Sequence, residues 1–403
     1  MNLARWGGGG RQHGVCWLLA VLVCGAAVRA EPPPGVVVAH SAASTGRYIG
    51  SPSFLMASGG DYLASHDFFG PGSGEAERGT SEVYGSEDHG QTWCLRSRIE
   101  GAFYSVLFEH RGTIYLLGVD RHPGPAPLTI ATAAARLFAP PKRIENSIVI
   151  RRSLDGGRTW TAPEAAGAGT LRTGEYGFAP SPVVEHGGRL WYALNMGMLS
   201  ASVDADLLAA ASWQITPGPA SQKEWFGGAF EGWGEGNAVV TPEGRVANLA
   251  KVRYLKPGDD HAALATFDAE GKALDFDPGR DLVRMPGARI KFTVRFDPVS
   301  KRYWAVTNYL PPEDYGARTD LRRNTLALVE SADLHDWHLA GVLLHDPDTG
   351  HHGFQYFDWT FDGDDIIGLS RTAWPDGAGG PNRQHDANYL TFHRFKGFRS
   401  LPR

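Results

Sequence analysis

The chain reads Ser153-Leu154-Asp155-Gly156-Gly157-Arg158-Thr159-Trp160 directly after a β-like run, and a near-copy upstream reads Ser86-Glu87-Asp88-His89-Gly90-Gln91-Thr92-Trp93. A third, degraded copy is Ser331-Ala332-Asp333-Leu334-His335-Asp336-Trp337. The shared pattern Ser-x-Asp-x-Gly-x-Thr-Trp predicts a tight hairpin. The Asp accepts hydrogen bonds from turn amides, the Gly adopts a backbone conformation closed to other residues, and the Trp packs over the turn. Two full copies, each after a strand-like run, indicate a repeated β unit.

The rest of the chain repeats a unit of an apolar inner strand, a Gly turn, a second strand, a long loop and an outer strand pair. Six units can be traced, with inner strands expected at 51–56, 103–108, 180–185, 236–240, 291–296 and 354–359. Repeats of this kind are typical of propellers. A single sandwich is the alternative, but it accommodates six copies of one motif badly. We therefore expect an all-β, six-bladed β-propeller of four-stranded antiparallel sheets, forming one domain over residues 31–403.

Composition narrows the classes of function. A net charge of −5 argues against a nucleic-acid-binding protein, while 51 glycines and 12 tryptophans suit many short strands and tight loops. The adjacent His351 and His352 point to opposite faces of a strand and do not chelate one ion together. We expect no metal and no other cofactor.

The first thirty residues have the pattern of a signal peptide. Arg5 and Arg11 form a positive segment, 15–23 is an apolar core too short to span a bilayer, and Val28-Arg29-Ala30 is a cleavage site. We expect a secreted or periplasmic protein without a membrane span. The mature chain keeps only Cys94, which rules out an internal disulfide. Lipid attachment through Cys24 stays open.

Propeller geometry predicts where the site lies. Inner strands line a central hole, so their first residues and the ends of second strands form one rim. Several residues there are cationic and suit a carboxylate, because a guanidinium binds both oxygens at once. The candidate binding residues are Arg47, Lys251, Arg253, Lys291, Arg371, His352, Asn237 and Tyr104. The candidates for proton transfer are His66, Asp67, Glu235 and His352, and His385-Asp386 precede the final strand pair.

The chain resembles the sialidase superfamily. The repeated turn is similar to the Asp-box of that superfamily, and the stretch from Glu235 to Arg245 resembles the blade whose Glu activates a tyrosine nucleophile. Tyr356, in Gly353-Phe354-Gln355-Tyr356-Phe357, lies where that tyrosine occurs. The resemblance implies a propeller in which Tyr356 is the nucleophile. A neutral nucleophile avoids repulsion from a substrate carboxylate, and a phenol with a pKa of about 10 needs the neighbouring Glu.

The same resemblance implies roles for other residues. Arg47 lies where the first of three carboxylate-binding arginines occurs, Lys251 stands at the second position, and Asp67, with His66 beside it, is close to the acid/base loop. The chain departs from the family where the Arg-Ile-Pro signature is absent. The third arginine has no clear match, with Arg289, Lys291 and Arg371 as candidates.

These observations favour a secreted glycosidase that acts on a terminal acidic sugar, sialic acid being the leading choice. One alternative is a polysaccharide lyase that uses His or Tyr as base and acid around a uronate. The other is a glycan-binding propeller without catalysis. In each case the partner is a carbohydrate, and we expect neither nucleic acid nor a membrane.

Overall fold

A computed structural model describes residues 31–73, 78–123, 144–164, 167–254, 260–311 and 322–401. The predicted signal segment, 1–30, lies outside the described residues. The strands are β1 Val36–His40, β2 Tyr48–Ile49, β3 Ser53–Met56, β4 Tyr62–Phe69, β5 Thr80–Ser86, β6 Cys94–Glu100, β7 Ala102–His110, β8 Thr113–Pro123, β9 Ile144–Ser153, β10 Thr170–Arg172, β11 Val184–His186, β12 Arg189–Leu194, β13 Gly197–Ser202, β14 Trp213–Thr216, β15 Phe230–Val240, β16 Val246–Tyr254, β17 His261–Phe267, β18 Leu274–Asp275, β19 Leu282–Arg284, β20 Thr293–Asp297, β21 Arg302–Asn308, β22 Thr325–Ser331, β23 Trp337–His345, β24 Gly353–Asp362, β25 Asp365–Ala373 and β26 Tyr389–Phe395.

Helical structure is confined to single turns in the described chain. The α-helical turn is α1 Trp225–Gly228, and the 3₁₀ turns are Ala43–Thr45, Pro71–Ser73, Ala210–Ser212 and Phe398–Ser400. Among the described residues no helix has the length and apolar character needed to cross a bilayer.

The strands form six antiparallel sheets, which confirms the predicted six-bladed propeller. From the central hole outward the blades are β3-β4-β5-β6, with β2 also on β4; β7 to β10; β11 to β14; β15 to β18, with β19 on β17; β20 to β23; and β24-β25-β26-β1. The third inner strand is shorter than expected, since β11 starts only at Val184. Pro180 and Pro182 precede it, and proline has no amide hydrogen for a ladder.

The last blade is closed by the first strand of the described chain. β1 pairs with β26, and Val36 faces Phe392 while His40 faces Tyr389. The sequence repeat did not reveal this pairing, because β1 is separated from its partner by almost the whole chain. The closing strand joins the two ends of the ring through backbone hydrogen bonds.

The core consists of apolar layers between neighbouring blades. In the described chain six clusters of buried side chains fill the six spaces between consecutive sheets. A sheet inside such a ring is covered on both faces. This explains why strands such as Arg189–Leu194 and Thr325–Ser331 contain continuous apolar runs rather than an alternating pattern.

Hydrogen bonds between a side chain and the backbone also link each blade to the next. Among the described strands no ladder crosses from blade to blade, so polar groups buried at these borders need other partners. The bonds around the ring, in order, are Leu107 N to Ser53 Oγ, His110 Nε2 with Val203 O, Asn248 Nδ2 to Gly197 O, Asn237 Nδ2 to Phe292 O, Asn308 Nδ2 to Phe354 O and Phe54 N to Asp358 Oδ2.

Candidate active site

Three inner strands carry a β-bulge near the end at which they enter the central hole. The ladder register shifts between Phe103 and Val106 in β7, between Trp233 and Gly236 in β15, and between Gln355 and Asp358 in β24. A bulge redirects a side chain out of the regular alternation of a strand. The side chains inside these bulges include those of Tyr104, Glu235 and Tyr356, three of the predicted site residues.

Two of the bulge tyrosines have left-handed backbone conformations. The φ angle is 49° at Tyr104 and 55° at Tyr356. This region is unfavourable for a residue with a bulky side chain, by roughly 1–3 kcal/mol, and persists only where the surrounding structure enforces it. Such strain at two tyrosines on one rim supports a functional reason for their placement.

Tyr356 and Glu235 meet across the hole although 121 positions separate them in sequence. The Tyr356 hydroxyl donates a hydrogen bond to Glu235 Oε1 at 3.2 Å. The other carboxylate oxygen, Oε2, lies 3.3 Å from Lys251 Nζ. Gly236 gives the carboxylate's strand room, because a Cβ there would lie 2.1 Å from the carbonyl oxygen of Asn195. The buried phenol of Tyr356, the carboxylate of Glu235 and the ammonium group of Lys251 thus contact one another in succession.

Three positively charged side chains surround the ring of Tyr356. The guanidinium carbons of Arg371 and Arg323 lie 4.9 and 5.7 Å from the ring centroid, and Lys291 Nζ lies 6.0 Å from it. Lys291 also donates to Thr293 Oγ1 at 3.0 Å. This group contains two of the predicted carboxylate-binding residues and one residue, Arg323, that the sequence analysis did not select.

The two guanidinium groups are buried with donors that lack an acceptor. Arg371 is 4% and Arg323 7% exposed. Within the described part of the chain, no acceptor reaches Nε of either residue or Nη1 of Arg323. A buried donor without a partner costs free energy, and a charged one costs more. An anion that enters the hole would supply the missing acceptors.

The protonation states of the central pair follow from burial and neighbouring charge. Burial and then the charge of Glu235 raise the pKa of Tyr356, against the opposing effect of Arg323 and Arg371. Burial by itself would raise the pKa of Glu235, but the charge of Lys251, hydrogen bonding and the charge of Lys291 together lower it. The pair therefore consists of a neutral phenol beside an ionised carboxylate.

A cavity of about 170 Å³ opens over this pair. Its lining residues include Tyr104, Asn195, Glu235, Arg253 and Tyr356. A larger cavity of about 620 Å³ lies at the other end of the inner strands, around residues such as Val240 and Phe361, and its lining residues include no carboxylate. The larger cavity is therefore not the one beside the predicted site residues; the smaller one lies against the contact between the Tyr356 phenol and the Glu235 carboxylate.

His66 and Asp67 lie beside the site but are engaged in structural contacts. Asp67 is 2% exposed, and its two carboxylate oxygens accept the amides of Ser51 and Tyr104, each at 2.7 Å. His66 faces the other side of β4, where Nε2 lies 3.5 Å from Glu82 Oε2. These contacts occupy the groups that the sequence analysis assigned to proton transfer, and that assignment stays a prediction.

Two further predicted residues hold the framework together. Asn237 is 1% exposed and bonds through its side chain to Phe292 O and Val294 N in the next blade. The ring of His352 stacks on Trp374 at 4.0 Å, and its Nδ1 lies 2.6 Å from Asp346 Oδ1. Both side chains have protein partners of their own, so their predicted contact with a substrate is untested.

Arg47 lies at the edge of the same rim. Its guanidinium carbon stacks 4.1 Å from the centroid of Phe68, while Arg371 stacks 4.3 Å from the centroid of Phe69. In the described chain no acceptor reaches Arg47 Nε. Arg47 and Arg371 are thus carried on adjacent aromatic residues at the end of one strand.

Arg323 lies neither at the start of an inner strand nor at the end of a second strand, the two kinds of position from which the sequence predicted the site. Arg323 precedes β22, the third strand of its blade. In an antiparallel sheet the third strand starts at the same end of the sheet at which the second strand finishes. Arg323 therefore belongs to the same rim of the hole. The signal in the sequence is therefore a cationic residue in the loop between a second and a third strand. In the described chain no group of three or more His, Cys, Asp or Glu residues is arranged to hold a metal ion.

The six antiparallel sheets around one hole define the fold as a six-bladed β-propeller. No protein-family model matches the chain, and no curated protein matches it in sequence. The chain is similar in structure to the leech intramolecular trans-sialidase complexed with 2,7-anhydro-Neu5Ac, with a TM-score of 0.57, 12% identity and coverage of 91% of this chain and 70% of that one.

Two other solved structures are similar over nearly their whole length. An α-L-arabinanase from Penicillium chrysogenum, complexed with arabinobiose, gives a TM-score of 0.51 at 14% identity and covers 91% of this chain and 99% of that one. A protein of unknown function from Dyadobacter fermentans gives 0.57 at 14% identity, with 90% and 100% covered. Likeness at such identities establishes the fold. The characterised neighbours include sialidases and arabinanases, which are glycoside hydrolases.

Proposed function

We propose that the protein is a glycoside hydrolase that removes a terminal acidic sugar from a glycan, with sialic acid as the first candidate. The observation that carries the proposal is the 3.2 Å contact between the Tyr356 hydroxyl and Glu235 Oε1 at the bottom of the hole. Glycoside hydrolases among the structural neighbours support the class of reaction. The trans-sialidase among them supports sialic acid as the first sugar to test.

Tyr356 acts as the nucleophile in this proposal. Its oxygen attacks the anomeric carbon while Glu235 accepts the phenol proton, and the bond from that carbon to the leaving oxygen breaks. Water then displaces Tyr356 from the covalent intermediate, and the phenol regains its proton. Two displacements at one carbon give overall retention of configuration. Because the Glu235 carboxylate is far less basic than a phenolate, the proton moves only as the new bond forms.

The positive groups determine which sugar suits the site. Arg323, Arg371 and Lys291 surround the nucleophile, and the guanidinium donors that lack an acceptor match a carboxylate. A substrate carboxylate that also drew Lys251 away from Glu235 would strengthen the base, because the Lys251 charge lowers the pKa of Glu235. Binding of an acidic sugar would then activate the base beside the nucleophile. A neutral sugar such as arabinose has no carboxylate to accept hydrogen bonds from these guanidinium groups.

We also propose that the protein is exported to the periplasm or the medium. The charged and apolar pattern of residues 1–30 supports this proposal. Expression of the full chain in a bacterial host, followed by N-terminal sequencing of the exported protein, tests it. A mature chain that begins near Glu31 is the expected result, and retention of Met1 on a cytoplasmic product contradicts export.

A substrate panel separates the candidate functions. The protein would be incubated with 3′-sialyllactose, an arabino-oligosaccharide and a uronate-containing polysaccharide, and the products followed by chromatography and ultraviolet absorbance. Release of free acidic sugar supports the hydrolase, and unsaturated, ultraviolet-absorbing products indicate a lyase instead. Measurable binding without any product over long incubation indicates a binding propeller. Cleavage of the neutral oligosaccharide alone contradicts the acidic-sugar assignment.

Replacement of the nucleophile is the sharpest single test. Tyr356→Phe removes the reacting oxygen and is expected to abolish turnover, while binding of the acidic sugar and the unfolding temperature stay near those of the wild type. The measurements are sugar release, calorimetric binding and thermal unfolding. Tyr115→Phe is the matched control, because Tyr115 packs on the core between the second and third blades. Full activity of Tyr356→Phe contradicts the assignment.

A further inference from the structure

The proposed pair leaves one chemical task unassigned. When the anomeric bond breaks, the leaving oxygen needs a proton, and the water that follows must lose one. Glu235 is held between Tyr356 and Lys251, and both oxygens of Asp67 accept backbone amides. Both carboxylates thus already have protein partners, so a group on the same rim whose proton-exchanging atom has none is the stronger candidate.

A histidine and an aspartate stand together on the loop between β25 and β26. His385 Nδ1 lies 2.9 Å from Asp386 Oδ1, and Asp386 Oδ2 accepts a hydrogen bond from Arg383 Nε at 3.0 Å. An ionised carboxylate only accepts, so Nδ1 carries the hydrogen of this contact and Nε2 is the nitrogen left for proton exchange. The His385 side chain is 32% exposed, so it is in contact with solvent.

Residues that flank the nucleophile fix this loop. Arg371 Nη2 donates to the His385 carbonyl at 2.5 Å, and Gln355 Nε2 donates to the Gln384 carbonyl at 2.6 Å. The amide of Arg323 donates to Gln384 Oε1 at 2.6 Å. Gln355 is the neighbour of Tyr356 in sequence. Arg371 and Arg323 both lie over the ring of Tyr356. The position of His385 is therefore tied to that of the nucleophile.

The imidazole and the guanidinium group of Arg371 contact the same phenylalanine, Phe69. The rings of His385 and Phe69 are 5.3 Å apart, edge to face, and Phe69 also carries the Arg371 guanidinium at 4.3 Å. The charged groups that act on His385 are Asp386, Arg371 and Arg323. Burial, followed by the two arginines, lowers the pKa of His385, whereas Asp386 raises it. A substrate carboxylate bound to those arginines would offset their effect and favour the imidazolium when substrate is present.

We propose that His385, oriented by Asp386, is the catalytic acid and base of the hydrolase. In the first step Nε2 gives its proton to the leaving oxygen as the Tyr356 oxygen bonds to the anomeric carbon and Glu235 takes the phenol proton. In the second step water loses a proton to Nε2 and adds to the same carbon, while the tyrosine oxygen leaves and regains its proton from Glu235. Atoms and charges balance over the cycle with water as the sole co-reactant. The inference rests on the proposed hydrolase function.

Two substrates that differ only in their need for an acid test this role. 3′-Sialyllactose has a sugar alcohol as leaving group, whereas the p-nitrophenyl α-glycoside of sialic acid has a leaving group that departs without a proton. His385→Ala is expected to lose ~10²–10⁴-fold in kcat/KM on sialyllactose and much less on the nitrophenyl glycoside. Azide, a nucleophile that needs no base, is expected to restore turnover of the nitrophenyl substrate and to give a glycosyl azide. His351→Ala, at a histidine that is 56% exposed, is the matched control.

Asp386→Asn tests the positioning role through the pH profile. Loss of the carboxylate removes a group that raises the pKa of His385, so the limb of kcat/KM that reports the protonated acid is expected to move to lower pH. Equal losses on both substrates, no rescue by azide and an unmoved pH limb would overturn the assignment of His385. A wild-type protein that releases sugar from neither substrate would overturn the proposed function itself, and this inference with it.

Discussion

The buried carboxylate of Asp67 links two blades through hydrogen bonds. Its oxygens accept the amide of Ser51 in the first blade and the amide of Tyr104 in the second, each at 2.7 Å. Gly50 allows this approach, since a Cβ at that position would lie 1.6 Å from Asp67 Oδ1. Burial raises the pKa of Asp67, although the two amide hydrogen bonds oppose the shift. The contact also holds Tyr104 in its bulge beside the hole.

Replacement of Asp67 by Asn separates this structural role from the predicted acid/base role. In Asp67→Asn one backbone amide faces an NH₂ group, so the free energy of unfolding is expected to fall by about 1–3 kcal/mol. Urea denaturation measures the change. Asp204→Asn, which removes an exposed ion pair with Arg111, is the control and is expected to cost less than about 1 kcal/mol. Unchanged stability combined with loss of one limb of the pH–rate profile would instead support catalysis by Asp67.

The repeated turn is the element that the sequence specified most fully. In the second copy Asp155 Oδ1 accepts the amides of Arg158 and Thr159, Gly157 has a φ of 85°, and Trp160 Nε1 donates to the carbonyl of Gly157. The first copy has the same bonds around Asp88. In the third copy, which is one residue shorter, Leu334 takes the place of the glycine at a φ of 70°. The turns lie between third and fourth strands, away from the hole.

These turns are expected to make stability sensitive to acid. The hydrogen bonds from the Thr159 hydroxyl and then its amide lower the pKa of Asp155 to about 2, below the value of about 3.9 for an unfolded chain. The ionised form therefore stabilises the fold above the unfolded pKa, and this contribution is lost as the pH falls through the window between 4 and 2. Asp155→Ala is expected to lower the unfolding temperature at pH 7, with a gap to the wild type that narrows on acidification.

Thermal unfolding measured at several pH values checks this prediction. Leu154→Ala is the matched control, because Leu154 lies in the same turn, carries no charge and is 78% exposed. The control is expected to follow the wild type at every pH. A gap between Asp155→Ala and the wild type that stays constant from pH 7 down to pH 2 would contradict the proposed linkage.

At the scale of the whole molecule, closure of the ring depends on one short strand. β1 supplies the outer strand of the last blade, and Val38 and Ala39 enter the apolar layer between that blade and the first. Each of the other blades is built from one continuous stretch of chain. The site residues come from several blades, so their mutual distances depend on the ring staying closed.

Two adjacent valines of β1 offer a matched test. Val38 is 7% exposed and packs in the layer between blades, whereas Val37 is 43% exposed on the other face. Val38→Asp would bury a carboxylate without a partner and is expected to lower the free energy of unfolding by more than about 2 kcal/mol, together with a loss of cooperativity. Val37→Asp is expected to have little effect. Similar denaturation curves for the two variants would contradict a closing role for β1.

The sequence predicted the blades and the residues of the rim better than it predicted the role of each of those residues. Repeated apolar runs and Gly turns set the order of strands, and antiparallel alternation placed Glu235, Tyr356, Lys251 and Arg371 at one end of the hole. The sequence could not show that both carboxylate oxygens of Asp67 accept hydrogen bonds from backbone amides, because those amides belong to other segments of the chain. The sequence likewise did not indicate Arg323, since its contact with Tyr356 depends on how the fifth and sixth blades pack against each other.

The sequence alone determined what local physics can encode: which segments become strands, where the tight turns fall and which edge collects polar residues. Hydrophobic periodicity and turn chemistry act over a few residues, so they can be read without the fold. Only the tertiary structure decided that β1 closes the ring, that a phenol and a carboxylate 121 positions apart share a hydrogen bond, and that the loop bearing His385 is anchored beside them. Those outcomes depend on distances between blades, which arise when all the sheets pack around one axis.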